Sequence, residues 1–445
     1  MNNYRLLTGL LVALLSGGGV VTVAQGSATP LTPAVMTLEE IFDAAESGSV
    51  QLRPSVAAEE EARREIAVAR DGRLPEINAS LSLSYIGDGF TTKRNFSDYQ
   101  RAPIPHLGTG LGVSITQPVY TGGAITRSIE MAELKSTAAR YATDFQRDNI
   151  RFRLTGFYLD LYKYINLRQV VQANIGNAEL ILGEMKARYE QGMALQNDIT
   201  RYELLLSDFQ LALVKINNMI DILNHNLVVT AGLPEGTAVV PDSTILARSL
   251  PSQGEGWWQQ EADINSPSLR LAESAVSISR KAEELTRAER LPKIGLQAGW
   301  TIDGPILVEI PPINRNLSYW YVGVGVSYNL SSIFKTRKTI AKSKAATATA
   351  VENLDVAREN VQLAVREDYV RYLEAYEELK TQTKSVELAD RNYHTTSTRY
   401  SADMALITDM LDAANSKLDA EQRLVNARIN IIYYYYKLLF TSGKI

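Results

Sequence analysis

The chain contains no cysteine, and its three histidines, His106, His225 and His394, are scattered along the sequence. The absence of cysteine excludes disulfides, thiolate metal sites and a lipid-bearing N-terminal cysteine. None of the histidines has a neighbouring ligand at metal-binding spacing. No Ser-His-Asp set is evident, and Asp and Glu are so abundant on helix faces that paired carboxylates do not indicate acid–base catalysis. The sequence therefore predicts no cofactor, no metal and no enzymatic activity.

An excess of charge of one sign is also missing, since 46 basic residues face 50 acidic ones. Without a basic stripe, no nucleic-acid partner is expected. No internal run of 18 apolar residues occurs, so internal transmembrane helices are not expected either. The N-terminus differs: Arg5 precedes apolar residues 6–15, and small residues follow at 24–28. Residues 1–28 are predicted to be a secretory signal peptide.

Period-two alternation is the main positive signal. In residues 107–120, Leu111, Val113 and Ile115 alternate with glycine, serine and threonine. Residues 75–85, 293–302 and 320–330 repeat the pattern. The polar face is too small to fill a core, which favours a strand between lipid and water. Each run has about 10 residues, the length of a tilted membrane-crossing strand.

Four such strands cannot close a barrel alone. An open sheet edge is not tolerated in lipid, and the smallest known membrane barrels have about eight strands. The sequence thus predicts a barrel assembled from several copies of the chain. A small soluble β-sandwich is the alternative, but nothing in the sequence supplies its second apolar layer.

Long amphipathic helices follow the strands. Apolar residues recur in 3-4 steps from Leu154 to Tyr189, a pattern typical of coiled-coil packing. A helix over 124–189 would extend on the order of 100 Å. Asp198 is expected to cap a return helix that ends near Gly232. Residues 233–261 are expected to form a connecting region with little regular structure.

The plan then repeats. Arg188-Tyr189, with Asp198 nine residues later, recurs 211 residues on as Arg399-Tyr400, with Asp409 nine residues later. This predicts an internal duplication. The first repeat, 29–262, comprises a helix, strand hairpin 75–120, helical hairpin 124–231 and equatorial segment 233–261. The second, 263–445, comprises a helix, strand hairpin 293–330 and helical hairpin 335–439.

With this plan, the strand-to-helix passage 117–123 and both turn motifs, the chain resembles the TolC-like outer-membrane efflux proteins. The resemblance implies a mainly α fold with a membrane β-barrel: a homotrimer whose twelve strands, four per chain, continue into a long periplasmic α-helical coiled-coil barrel. It implies an outer-membrane location in a Gram-negative-type envelope, amid outer-membrane lipid. It also implies a passive exit duct in a tripartite or type I secretion system, with a periplasmic adaptor and an inner-membrane RND or ABC-type pump.

The resemblance also identifies site residues. The periplasmic aperture would be formed by Asp409 and Asp412, which share a helix face, together with Tyr400 as a latch. Three copies would place six carboxylates around the axis and favour cations. The alternative is that Asp409 is simply a helix N-cap or a solvated residue. The family's basic latch residue would fall at Ala405, and Asp403 replaces a glycine, so this chain departs from the pattern at both positions.

The paired turns are expected to dock the adaptor, through Arg188, Gly192, Met193, Ala194, Leu195, Asp198, Arg399, Met404, Ala405 and Leu406. A second function stays open: a non-conducting structural coiled-coil protein of the periplasm, anchored in the envelope. The glycine- and serine-rich strand face favours the channel, because a rod has no use for a polar lumen. The cargo, whether drug, metal, siderophore or polypeptide, is left open by the sequence.

Overall fold

The computed structural model describes residues 32–247, 253–309, 311–402 and 404–445. The predicted signal peptide and Asp403 lie outside these ranges. No helix among the described residues has both the length and the apolar character needed to cross a membrane. The first half contains β1 Thr32–Met36, α1 Leu38–Gly48, α2 Arg53–Asp71, β2 Glu76–Tyr85, β3 Gly89–Thr91, β4 Gln100–Ala102, β5 Leu107–Tyr120, α3 Ala124–Glu190, α4 Gln196–Ala231 and β6 Thr237–Pro241. A 3-10 helix, Ser243–Ala247, precedes α5 Glu255–Asn265, α6 Pro267–Ala288, β7 Lys293–Gly304, β8 Leu317–Ser327, α7 Ser332–Ser401 and α8 Ile407–Thr441.

The four predicted strands form one antiparallel sheet in the order β2-β5-β7-β8. Strand β5 has the predicted bounds, whereas β8 begins earlier than expected and ends at Ser327. The long connection between β2 and β5 contains a small hairpin, β3–β4, which the sequence did not reveal. Pairing between β5 and β7 joins the two strand hairpins into one sheet.

The sheet is a single layer with both outer strands uncovered. Every residue of β2 is exposed, and so are nearly all those of β8. Large apolar side chains stand free, with Leu81 73% and Trp320 73% exposed. Apolar patches of this extent mark contact with lipid or with other chains. A soluble sandwich is therefore excluded, because no second layer packs on these strands within the described chain.

Two helical hairpins carry the rest of the fold, with α3 packed on α4 and α7 on α8. The predicted 3-4 stripe is confirmed at Leu154, Leu161 and Val171 of α3, which are buried. On α4, Leu227 is buried in the same core as Leu154 and Leu161, and Phe209 in the same core as Val171. The shorter α2 packs on α3, and α6 lies between α3 and α7. The coiled-coil interpretation of these segments is correct.

The expectation of little regular structure over 233–261 is wrong. Strand β6 pairs in parallel with β1, and Trp258 lies on α5, only 1% exposed and edge-on to Tyr435 at 6.2 Å between ring centroids. Strand β1 lies about 200 residues before β6, so local composition could not reveal the pairing. Helix α5 also crosses the predicted repeat boundary at 262, so that boundary falls inside a helix.

The hydroxyl of the fully buried Tyr158 ties this middle region together. It donates to the carbonyl oxygen of Met36 at 2.9 Å and accepts the N–H of Asp242 at 2.8 Å. One side chain of α3 therefore satisfies backbone groups of two distant segments. Beside it, Thr37 caps α1 in a reciprocal capping box with Glu40.

Replacing Tyr158→Phe should lower the free energy of unfolding by about 1–3 kcal/mol, because two buried backbone groups lose their partner. The fluorescence of Trp258, buried in the same core, would follow the transition. Tyr369→Phe is the matched control, since the Tyr369 hydroxyl bonds to no residue that the structure describes, and should change little. Equal destabilisation by both variants would contradict the assignment.

Candidate functional site: the helix tips

The first tip, residues 188–198, closes α3 with a left-handed residue. Gly192 has φ of +77°, and the N–H of Met193 bonds the carbonyl of Arg188 at 2.9 Å. This is the Schellman arrangement, and it favours glycine at the left-handed position. Helix α4 then begins at Gln196, with Leu195 as its N-cap. The prediction that Asp198 caps this helix is wrong: Asp198 lies within the first turn, where a carboxylate is still favoured by the helix dipole.

The second tip, described for residues 399–402 and 404–409, has the same closing hydrogen bond. The N–H of Met404 bonds the carbonyl of Arg399 at 2.7 Å. The guanidinium of Arg399 donates to the carbonyl of Met404 at 3.2 Å. The carboxylate of Asp409 accepts the N–H of Leu406 at 3.1 Å, so Asp409 does serve the start of α8. Local capping and an aperture role are compatible, because one oxygen suffices for the cap.

Arg188 connects the two tips. Its guanidinium donates to the carbonyl oxygens of Ser401 at 3.2 Å and Tyr400 at 3.5 Å. It also lies 6.0 Å from the centroid of the Tyr400 ring. The structure thus brings Arg188 and Tyr400 together, at the ends of α3 and α7.

Asp409 and Asp412 lie on one exposed face of α8. The intervening Met410 and the following Ala413 are buried, at 0% and 1% exposure, against the other helices. The packing of α8 therefore fixes the direction of both carboxylates, away from the core of this chain. Within one copy, no ion pair joins either carboxylate to another described residue.

A polar cluster above the tips was missed by sequence reasoning. Tyr202 and Tyr393 are buried in one core, and burial raises the pKa of both hydroxyls. The Lys417 ammonium lies 4.8 Å from the Tyr393 ring centroid and 2.7 Å from a carboxylate oxygen of Asp390. The bond to Lys417 holds the pKa of Asp390 below its usual range. These contacts join α4, α7 and α8, and their sequence separation hides them from any local pattern.

Apolar side chains are exposed at both tips. Met193 is 55%, Leu195 68%, Met404 64% and Leu406 69% exposed. Ala194 and Ala405 are half-buried between them, and Arg399 is exposed. Four large apolar residues at one end of the molecule have no partner in the described chain.

One uncovered sheet of about ten-residue alternating strands, continued by two long helical hairpins, defines an outer-membrane channel subunit. The comparison with known proteins agrees. Residues 41–232 and 258–433 match the family model described as outer membrane efflux protein. The chain belongs to this family, and its place is the outer membrane, with extension into the periplasm.

Two relatives of known name are similar to most of the chain. The outer membrane efflux protein BepC of Brucella suis is 21% identical over 380 residues, 85% of this chain and 79% of BepC. The pyoverdine export outer membrane protein OpmQ of Pseudomonas aeruginosa is 21% identical over 404 residues, 88% of this chain and 82% of OpmQ.

Solved structures share the fold. The outer-membrane channel OprN superposes with a TM-score of 0.75 at 18% identity, covering 92% of this chain and 90% of OprN. The outer membrane protein VceC of Vibrio cholerae gives 0.75 at 15% identity, covering 91% of this chain and 96% of VceC. The mainly α class with a membrane barrel is thereby confirmed.

Arg188→Gln should loosen the second tip, because the carbonyls of Tyr400 and Ser401 lose a charged donor. Backbone amides of residues 399–406 are expected to exchange hydrogen about tenfold faster, as a bond of this kind contributes about 1.5 kcal/mol or more. The control is Arg201→Gln, an exposed cation of α4 that forms no ion pair with a described residue. Unchanged exchange at residues 399–406 in the Arg188 variant would refute the link.

Proposed function

We propose that the protein is the passive exit duct of a tripartite export system. Three copies share one twelve-stranded barrel and one periplasmic helical tunnel. An inner-membrane pump of the RND or ABC type loads the duct through a periplasmic adaptor. The duct performs no chemistry, and the energy for transport comes from the pump.

The uncovered edges of β2 and β8 carry this proposal. Each edge presents a row of backbone N–H and C=O groups without strand partners in the described chain. Lipid cannot satisfy such groups, whereas another copy can, by pairing its β8 with β2. The exposed apolar face of the same strands would then contact lipid, and the glycine and serine face would line water.

Cysteine cross-linking tests the shared wall directly, since the native chain has no cysteine. Ser80→Cys on β2, combined with Tyr319→Cys, Tyr321→Cys or Gly323→Cys on β8, should yield covalent dimers and trimers for at least one register. Ser114→Cys with Gly299→Cys is the control, because these residues are partners within one chain. The control should form a disulfide within one chain and still migrate as a monomer.

A monomer in every β2–β8 combination would overturn the proposal. Trimers that show no single-channel conductance in a planar bilayer would instead support the alternative, a structural coiled-coil protein anchored in the envelope. Conductance together with cross-linked trimers supports the duct.

The tips are the proposed periplasmic aperture and adaptor-docking surface. Threefold symmetry would place Asp409 and Asp412 of each copy near one axis, and such a ring of carboxylates attracts cations. Tyr400, held beside Arg188, is the proposed latch. The exposed Met193, Leu195, Met404 and Leu406 are the proposed docking surface, because apolar residues form the core of protein interfaces.

Asp409→Asn together with Asp412→Asn should reduce the cation-to-anion permeability ratio several-fold, because six charges leave the constriction. Asparagine keeps an oxygen for the N–H of Leu406, so the start of α8 is preserved. Asp419→Asn, on the same helix and ion-paired with Arg423 at 2.9 Å, is the control. Reversal potentials in asymmetric salt measure the ratio, and an unchanged value in the double variant would refute the ring.

A further inference from the structure

A basic cavity lies where the sheet meets the helices. It has a volume of about 680 Å³ and is bounded by α3, α6 and α7. We call it the junction pocket and define it by Arg127, Arg287, Arg290, Leu291, Ile340 and Lys344. Its size is that of a site for a small ligand. Four of these six residues are cations, and two are apolar.

The charge of the junction pocket is not cancelled. Its one carboxylate, Glu284, is 3.0 Å from Arg127 and 3.1 Å from Lys281, so it is already neutralised. Arg287 pairs with Glu283 on the same helix. Arg290 and Lys344 form no ion pair with any residue that the structure describes. Two cations therefore remain available to an anion.

The surrounding sequence adds to this charge. Five of the ten residues 335–344 at the start of α7 are basic, and the next acidic residue is Glu352. None of the five forms an ion pair within the described ranges of the chain. The corresponding start of α3, residues 124–133, has one arginine and two glutamates and is almost neutral. The excess of positive charge is thus confined to the second hairpin.

The pocket opens on the side of the apolar strand face. A second cavity at the same level is lined by Lys293 and Ser327, which are direct partners on the glycine and serine face of β7 and β8. That second cavity contains Glu289, whereas the junction pocket contains Arg287. At 100° per residue these two side chains leave α6 in nearly opposite directions. The junction pocket therefore faces outward, directly below the lipid-facing strands.

We propose that the junction pocket binds the phosphate-bearing headgroup of an anionic phospholipid in the periplasmic leaflet of the outer membrane. The inference rests on the proposed barrel, because only an inserted sheet brings lipid to this level. Arg290 and Lys344 contact the phosphate, and the acyl chains lie against Ile294 and Leu296 of β7. Arginine forks match phosphate oxygens, and basic residues at a membrane surface attract anionic lipid.

Native mass spectrometry of the full-length protein with added phosphatidylglycerol or phosphatidylcholine tests the site. Wild type should retain phosphatidylglycerol preferentially. Arg290→Gln with Lys344→Gln should weaken that retention about tenfold or more, as two cations near an anionic surface are lost. Lys293→Gln with Lys335→Gln is the control: it removes the same charge from the inward cavity and should leave retention unchanged.

A charge-preserving variant, Arg290→Lys with Lys344→Arg, should bind nearly as well as wild type, which separates charge from folding defects. Titration with inorganic phosphate distinguishes the source of the anion: binding of phosphate that phosphatidylglycerol does not displace would overturn the lipid assignment. Equal weakening in the inward control, or no preference in wild type, would also overturn it. Single-channel conductance, recorded on the same samples, tests the proposed duct independently of lipid binding. Loss of lipid binding with normal conductance would therefore overturn only the lipid site.

Discussion

The requirement that every backbone polar group find a partner in hydrocarbon governs this molecule. Within one chain, β5 and β7 satisfy each other and their neighbours, but β2 and β8 each keep one free edge. Side chains on both faces of β2 and β8 are exposed, so these strands also lack apolar partners within the described chain. In the proposed duct, the sheet of one chain is one part of a wall that continues into the next copy. Folding stability would then depend on assembly, because the next copy supplies the missing strand partners.

The passage from sheet to helix shows how tightly this geometry is set. Gly122 has φ of +67°, and a Cβ there would lie 2.8 Å from both the carbonyl oxygen of Ala288 and the Cβ of Leu291. Only glycine fits both the backbone and the contact. The side chain of Gln117 donates to the carbonyl of Arg73 at 2.9 Å, which fixes the end of α2 against β5. Packing and backbone geometry therefore account for Gln117 and Gly122 in the motif 117–123.

The sequence predicted the elements that depend on short-range periodicity. The four strands and the helical hairpins with their buried stripes follow from residues a few positions apart. It failed where the partner is distant: β1 with β6, the hydroxyl of Tyr158, and the Tyr202–Tyr393–Lys417 cluster all join segments that no local pattern relates. It also failed at Asp198, because Leu195 and Gln196 start the helix earlier than composition indicates. The exposed face shared by Asp409 and Asp412 follows from their spacing alone, whereas the reach of Arg188 to the other tip does not.

The two tips share a closing bond but differ in their long-range contacts, and the difference has a consequence. Arg399 turns back to its own tip, whereas Arg188 crosses from α3 to the end of α7. The start of α7 is also strongly basic, whereas that of α3 is nearly neutral. In the proposed trimer, these differences between the hairpins exclude a sixfold repeat around the axis. In the proposed duct, the second hairpin thus carries a basic segment at its membrane end and contacts Arg188 of the first hairpin at its tip. A partner that engages the exposed Met404 and Leu406 would act next to the hydrogen bonds that Arg188 donates to the carbonyls of Tyr400 and Ser401.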